Sequence, residues 1–329
     1  MKFASCTASV AAAAGIASLT YQQIAEARDR RRFPPPGRLV DIGGRHLHLV
    51  DAGQGSPAVV IIPALADSVV QWLGMLEGAA AETHVCVYDR AGIGWSDPPP
   101  WGRHTPGTMA SDLHALLQAA GISPPYVLVG HSLGGIIARR FQADHPQAVV
   151  GMVLIDSGHE DHARRLGAID WREGPMGILK VAARRQVRIL GARRLAVAIG
   201  LAPGFDAEIA RTAPPEYFGA ARAIGLSVHQ KHATVRELLV LAQSWGPPRS
   251  LGSLPLTVLT ASPRPWRGWP VWAQLQDELA ALSSDSVHIK AERAGHDIQR
   301  DDPELVIQVI RDLLRRYGER RSAGSRPGS

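Results

Sequence analysis

The chain has 329 residues, of which 45% are hydrophobic and 20% are charged. This composition is ordinary for a globular protein, and the length suits a single folded core that carries an insertion. The net charge is +6, but no recognised nucleic-acid motif accompanies it, so we expect no nucleic-acid partner. The two cysteines, Cys6 and Cys86, give neither a disulfide framework nor a zinc-site pattern.

The N-terminal segment is apolar and rich in small residues. Residues 3–21 carry no charged side chain, Lys2 precedes them and an arginine-rich stretch at 28–32 follows. The length predicts a marginal transmembrane helix, and the arginines favour a membrane anchor whose C-terminal flank is cytoplasmic. The alternatives are a cleaved signal peptide, with a secreted or periplasmic product, and an alanine-rich surface helix. A stiff PPPG linker ends this segment, which we place at residues 1–37.

Apolar runs and helical periods alternate along the next part of the chain. Residues 38–51 alternate in polarity around Gly43 and Gly44, which predicts a β-hairpin. Further strands are predicted at 58–62, 85–88, 126–129, 149–155, 256–260 and 287–290. Helices are predicted at 72–80, 108–120, 133–145, 272–282 and 303–317. Strands that alternate with helices predict an α/β fold with a mostly parallel, doubly wound sheet.

The alternation breaks after the sixth strand. Residues 157–253 combine helical stretches with several prolines and a block of arginines. We predict a helical cap there, inserted into a core formed by 38–156 and 254–317, and a disordered tail at 318–329. We expect the arginines on a solvated face, with a membrane-facing or anionic-substrate role as the alternative. They are Arg164, Arg165, Arg184, Arg185, Arg188, Arg193 and Arg194.

A short motif lies between the fifth strand and the helix after it. Residues 130–134 read Gly-His-Ser-Leu-Gly, a G-x-S-x-G pattern. In a tight strand-to-helix turn the glycines let the backbones approach, and Ser132 is raised out of the turn as a nucleophile. The N–H of Leu133, at the start of the helix, would face the oxyanion that develops on the substrate. The alternative is a glycine-rich turn whose serine only caps the helix.

Three landmarks resemble the α/β-hydrolase superfamily, in its serine-nucleophile esterase and lipase branch with a helical cap. They are GHSLGG around Ser132, YDRAGIGWSD at 88–97, and Gly-His-Asp at 295–297, before the last helix. The resemblance covers residues 38–317 and implies an α/β-hydrolase fold with a helical cap inserted after the sixth strand. Because this fold hosts many reactions, the landmarks indicate the fold more specifically than the substrate.

The resemblance also implies the partners of Ser132. His296 stands between the last strand and the last helix, where the family keeps its catalytic histidine, so we expect it to be the general base. Many relatives place the acid after the seventh strand, but no carboxylate follows that strand closely here. Asp156, at the end of the sixth strand, occupies a position that some relatives use, and we predict it as the acid. A structural strand-end aspartate is the alternative for Asp156, and Asp297 and Asp285 are poorer candidates for the acid.

The second oxyanion donor is expected from the turn after the third strand. Relatives commonly have His-Gly there, whereas this chain has Pro63-Ala64-Leu65. The donor is a backbone N–H, so we assign it to Leu65 in spite of the missing glycine.

Together these residues predict a serine hydrolase that cleaves a carboxylic ester, or a related small acyl compound, through an acyl-enzyme. This chemistry requires neither a metal nor an organic cofactor. The pairs His159/His162 and His229/His232 have a spacing that could suit a metal. Neither pair has a convincing third ligand, so a solvated cap helix is the preferred interpretation.

Three other functions use the same fold. A proline iminopeptidase-like peptidase would need cap carboxylates, such as Glu160 and Glu216, to hold the substrate amine. An acyltransferase would use the same triad and exclude water. A non-catalytic ligand-binding protein is the third, and it is disfavoured because the chain retains both the serine and the histidine.

Overall fold

The computed structural model describes residues 2–100, 102, 104–167, 192–246 and 248–324. Among these residues, eight strands form one sheet: β1 (Arg38–Asp41), β2 (His46–Ala52), β3 (Ala58–Ile62), β4 (Val85–Tyr88), β5 (Tyr126–His131), β6 (Val149–Ile155), β7 (Leu256–Ala261) and β8 (Ser286–Ala291). Their order across the sheet is β1-β2-β4-β3-β5-β6-β7-β8. β1 and β2 form the predicted hairpin, β2 is antiparallel to β4, and the other pairs are parallel.

Helices cover both faces of this sheet. In the described part of the chain they are α1 (Lys2–Arg32), α2 (Leu73–Ala80), α3 (Pro106–Ala119), α4 (Leu133–Asp144), α5 (His162–Gly167), α6 (Ala192–Ala198), α7 (Pro203–Thr212), α8 (Phe218–Leu226), α9 (Val228–Leu241), α10 (Trp269–Ala280), α11 (Ile298–Asp301) and α12 (Pro303–Gly324). Along β3, Val59 and Ile61 pack with α2 and α12, whereas Val60 and Ile62 pack with α3 and α4. The predicted doubly wound sheet is confirmed, and its strands are apolar because they are buried on both faces.

The predicted helical cap follows β6. Helices α5 to α9 lie between β6 and β7 in the sequence, and residues 168–191 between α5 and α6 are outside the described residues. The arginines at 184, 185 and 188 fall in that segment. Arg194 is only 8% exposed, so the prediction of a solvated face is wrong at this position. Its Nη1 donates to Asp29 of α1 at 2.6 Å, and this partner compensates the burial of its charge.

The predicted membrane anchor is wrong. None of the helices in the described residues is both long enough and apolar enough to cross a bilayer. Residues 3–21 form the first part of α1, and this stretch is rich in Ala, Ser and Thr, which are less hydrophobic than Leu or Ile. The membrane association and the membrane localisation that we expected rested on this segment, and both are corrected with it.

The second half of α1 packs against the cap. Gln22 is 2% exposed, and its Nε2 donates to the carbonyl of Leu226 at 2.9 Å. Glu26 accepts the N–H of Val228 at the start of α9. These contacts match the surface-helix alternative rather than the anchor, since polar side chains of α1 satisfy backbone groups at the junction of α8 and α9.

The last helix is longer than predicted. α12 continues to Gly324, seven residues beyond the expected end at Tyr317, so that residues 318–324 are helical where we predicted a tail. The hydrogen bond between Arg315 and Glu319, at 3.0 Å, is one of the i,i+4 pairs that support this extra length. Residues 325–329 lie outside the described residues.

Candidate active site

Ser132 lies in a strained turn between β5 and α4. Its φ of +50° is in the left-handed region, which costs a non-glycine residue about 1–3 kcal/mol. The backbone is held on both sides: the Ser132 N–H donates to Ile155 O at 3.1 Å, and the Gly158 N–H donates to Ser132 O at 2.9 Å. A side chain at Gly134 would overlap the carbonyl of Ile62, so only glycine lets α4 approach β3 this closely. The predicted sharp turn around Ser132 is therefore present.

His296 and Asp156 form a short hydrogen bond. Nδ1 of His296 lies 2.6 Å from Oδ2 of Asp156, which is fully buried at the end of β6. A carboxylate only accepts, so Nδ1 carries a proton, and the neutral form of this imidazole has its lone pair on Nε2. His131 fixes the loop of His296, because its Nε2 donates to the carbonyl of His296 at 2.8 Å. The structure thus brings the predicted base and acid together beside the residue that precedes Ser132.

The hydroxyl of Ser132 is not hydrogen-bonded to His296 or to Asp156. In the described part of the chain, neither Ser132 Oγ nor Nε2 of His296 has a hydrogen-bond partner. Ser132 is 9% exposed, whereas the imidazole of His296 is 34% exposed. Bonds between nucleophile and base are often long in structures without a substrate, so this geometry is compatible with the predicted roles.

Asp156 has further partners that the sequence analysis missed. Nε1 of Trp272 and Nη2 of Arg264 each donate to its carboxylate at 2.9 Å, and the N–H of Ala261 does so at 3.2 Å. Burial raises the pKa of the Asp156 carboxyl. The hydrogen bond and charge of His296, with Trp272 and Ala261, lower that pKa further than burial raises it, and the net pKa lies below the usual value. Arg264 belongs to the segment after β7 that lacks a carboxylate; no local pattern in the sequence indicates that it would contact Asp156.

The two poorer candidates for the acid have other partners. Oδ2 of Asp297 accepts from Arg300 at 2.7 Å, one turn along α11. Asp285 accepts from both Arg316 and Arg320 of α12. Both carboxylates are thus engaged on the surface rather than with His296.

The two backbone groups predicted as oxyanion donors lie on segments that are in contact. Leu65 follows β3 and Leu133 begins α4, and the contact of Gly134 with Ile62 brings these two segments together. Among the hydrogen bonds of the described residues, none uses the N–H of Leu65 or that of Leu133. Two unpaired N–H groups next to a raised serine are what an oxyanion hole requires.

The fold and this arrangement match a known family. The family profile of the alpha/beta hydrolase fold covers residues 57–299. The chain belongs to this family. An esterase from Thermogutta terrifontis, solved with malate bound, superposes with a TM-score of 0.62 and 25% identity over 85% of this chain and 98% of that chain.

Two curated relatives of this α/β hydrolase differ in how much of their length it covers. The uncharacterized protein YqjL of Bacillus subtilis is 25% identical over 264 residues, which are 79% of this chain and 85% of YqjL. The "Probable transporter efuK" of Hormonema carpetanum is 33% identical over 129 residues, which are 37% of this chain. The chain spans only 18% of the length of efuK, so that likeness concerns one part of a longer protein.

A cavity of about 320 Å³ lies between the Leu65 turn and the cap of this α/β hydrolase. Phe205 and Ile209 of α7 give it apolar walls, while Asp67, Lys231 and other charged residues give it polar ones. Its volume is in the range of small-molecule sites.

In the described residues, neither histidine pair with metal-like spacing belongs to a group whose ligand atoms lie close enough together to hold a metal. His159 and His162 are buried rather than solvated, and His162 Nδ1 donates to the carbonyl of His159 at 2.8 Å. In the described residues one other group has ligand atoms within 4.8 Å of one another, namely Asp67, His131 and Asp297. Both ring nitrogens of His131 are already engaged, with His296 O and with Nε2 of Gln299 at 3.2 Å, so this group lacks a free imidazole donor.

Proposed function

We propose that the protein is a serine hydrolase that cleaves a small carboxylic ester, with Ser132 as nucleophile, His296 as general base and Asp156 as the acid. The observation that carries the proposal is the 2.6 Å hydrogen bond between His296 and Asp156 beside a serine at positive φ. The esterase of Thermogutta terrifontis, at 25% identity, adds support for an ester substrate. The fully buried carboxylate would hold the histidine tautomer and stabilise the imidazolium that forms.

The proposed reaction has two halves. Nε2 of His296 takes the proton of Ser132 Oγ as that oxygen bonds to the acyl carbon, and the N–H groups of Leu65 and Leu133 bind the oxyanion. The C–O bond to the leaving alcohol then breaks, and His296 returns the proton to the alcohol oxygen. Water attacks the acyl-enzyme in the same manner, with His296 again as the base, and this releases the carboxylic acid and restores Ser132.

Two cap carboxylates bear on the peptidase alternative. Glu160 accepts from Nε and Nη2 of Arg139, each at 2.9 Å, and is 8% exposed. Glu216 is exposed and does not line the cavity at the Leu65 turn. Neither of these two carboxylates is placed to hold a substrate amine at that cavity.

A fluorophosphonate probe and a panel of p-nitrophenyl esters test this proposal. The wild-type protein should be labelled and should turn over short esters, with little activity on aminoacyl amides. Ser132→Ala should abolish labelling and reduce kcat by at least about 10⁴-fold, as removal of a triad nucleophile does. A folded wild-type protein that neither labels nor hydrolyses any ester would contradict the proposal and would favour a ligand-binding role.

A further inference from the structure

The turn that carries Leu65 is held by a helix of the cap. Gln230 and Glu237 are seven residues apart on α9, so both face the same side of the helix. Nε2 of Gln230 donates to the carbonyl of Ala66 at 2.7 Å, and Oε2 of Glu237 accepts the N–H of Ala66 at 2.9 Å. The cap therefore binds both polar backbone groups of the residue that follows Leu65.

Glu237 also fixes the turn through Arg90. Glu237 has no exposed surface and binds Arg90 with both oxygens, at 2.6 Å to Nε and 3.0 Å to Nη2. Arg90, itself 2% exposed, donates to the carbonyls of Pro63 and Ala64, each at 2.6 Å. A buried bidentate pair of this kind is rigid, and each partner is costly to leave alone.

The turn needs such support because its backbone is strained. Ala66 has a φ of +63°, in the left-handed region that is unfavourable for an alanine. Arg90 donates to the carbonyls of residues 63 and 64. Gln230 donates to the carbonyl of residue 66, and Glu237 accepts the N–H of the same residue. Within the described residues, the N–H of Leu65 is left unpaired between them.

We infer that Glu237 and Gln230 of the cap are positioning residues for the oxyanion hole, acting with Arg90 on the turn at residues 63–66. The inference rests on the proposed function. The core supplies the donor at Leu133, and Arg90 of the core binds the carbonyl of the Ala64–Leu65 peptide that presents the donor at Leu65. The cap holds Arg90 through Glu237, and it binds the N–H and carbonyl of Ala66, the next residue. A glycine at position 66 would adopt this backbone without strain; here the cap constrains an alanine instead.

Positioning of an oxyanion donor has its own kinetic signature. The donor binds charge that develops only in the transition state, so its displacement lowers kcat and leaves KM little changed. It should equally weaken a trifluoromethyl ketone inhibitor, whose serine adduct carries the same oxyanion. A role in stability alone would lower the unfolding midpoint without a specific loss of inhibitor affinity.

Two variants test the inference. Glu237→Gln removes the charge that pairs with Arg90. Gln230→Met removes the hydrogen bond to Ala66 O, together with the one that Gln230 Oε1 accepts from the Gly94 N–H, and leaves no buried charge. We expect kcat to fall roughly 10- to 100-fold in Glu237→Gln and by about tenfold in Gln230→Met, by comparison with the loss of a whole donor. KM should stay within about threefold. The inhibition constant of the trifluoromethyl ketone should rise in parallel with the loss of kcat.

Asp29→Asn is the control, because it breaks another pair between a carboxylate and a buried arginine, Arg194, that touches neither this turn nor the turn of Ser132. It should destabilise the protein as Glu237→Gln does and change kcat and inhibitor affinity by less than about threefold. If Glu237→Gln does not fold, the kcat and the inhibitor affinity of Gln230→Met decide whether the inference holds.

The outcomes separate this inference from the proposed function. The inference alone would be overturned if the fluorophosphonate labels wild-type Ser132 but inhibitor affinity is unchanged in both variants, or is reduced equally in Asp29→Asn. A wild-type protein that is not labelled would remove the proposed function, and the inference with it.

Discussion

At the scale of single residues, the carboxylate of Asp156 is held in place from two sides. Its Oδ1 accepts from Trp272 and Ala261, and its Oδ2 accepts from Arg264 and His296. With donors on both oxygens, the carboxylate cannot rotate away from His296 without breaking other bonds. Arg264 adds a positive charge that favours the ionised form, which the proposed mechanism requires.

Replacement of this carboxylate tests the acid assignment. Asp156→Asn should lower kcat by roughly 10⁴-fold, because an amide can hold the wrong histidine tautomer and cannot stabilise imidazolium. Asp297→Asn removes the neighbouring carboxylate, which binds Arg300, and should cost less than about tenfold. Steady-state kinetics on one p-nitrophenyl ester measures both. If Asp297→Asn were the more damaging change, the assignment of Asp156 would be wrong.

At the scale of elements, the turn between β5 and α4 depends on close contact with β3. A Cβ at Gly134 would overlap Ile62 O and lie 2.8 Å from Pro63 O, which are backbone atoms that cannot move aside cheaply. The same contact sets the distance between the two predicted oxyanion donors. Stability and site geometry therefore rest on the same glycine.

Two Gly→Ala substitutions distinguish the effect of the close contact between α4 and β3 from the effect of helix propensity. Gly134→Ala should lower the free energy of unfolding by about 3 kcal/mol, because the helix and strand must separate. A Cβ added at Gly204, in α7, meets no atom within 4 Å. Gly204→Ala should therefore raise the free energy of unfolding by about 0.5 kcal/mol. Urea unfolding measures both. A Gly134→Ala protein as stable as the wild type would show that α4 and β3 are not in close contact.

At the scale of the whole molecule, burial of histidines links stability to pH. Burial lowers the pKa of a group of described histidines below the ordinary value of 6.5. They are His104, His114, His159, His162, His229 and His288. The unfolded chain binds these protons more readily than the folded one, so their contribution to stability is present above pH 6.5 and is lost as the pH falls below it.

The free energy of unfolding should therefore decrease between pH 7 and pH 5.5. A fully buried histidine contributes at most about 1.4 kcal/mol per pH unit. The lowered pKa of Asp156 does not enter this range, because it acts only below its ordinary value of 3.8. His162→Gln removes one of the most buried groups and should flatten the slope in urea unfolding at pH 7, 6.3 and 5.5. A stability that rises on acidification, or a slope unchanged by His162→Gln, would contradict this account.

The N-terminal helix shows where prediction from the sequence failed. An uncharged stretch at residues 3–21 followed by arginines suggested a membrane anchor, but no helix in the described residues is long and apolar enough to cross a membrane. The polar contacts of Gln22, Glu26 and Asp29 with the cap are not visible in the sequence, because their partners lie 165 to 204 residues away.

The sequence by itself determined the sheet, the turn at Ser132 and the chain position of His296. The bounds of strand β6 are predicted correctly to the residue, because an unbroken apolar run indicates burial on both faces. Glycines in turns likewise indicate positions where the backbone needs a conformation or a close approach that other residues do not allow. Only the tertiary structure decided which aspartate contacts His296, across 140 residues, and that Glu237 of the cap binds Arg90, across 147. The physical reason is that strand burial and turn conformation depend on residues that are neighbours in the sequence. The partner of a buried charge depends instead on how distant elements pack.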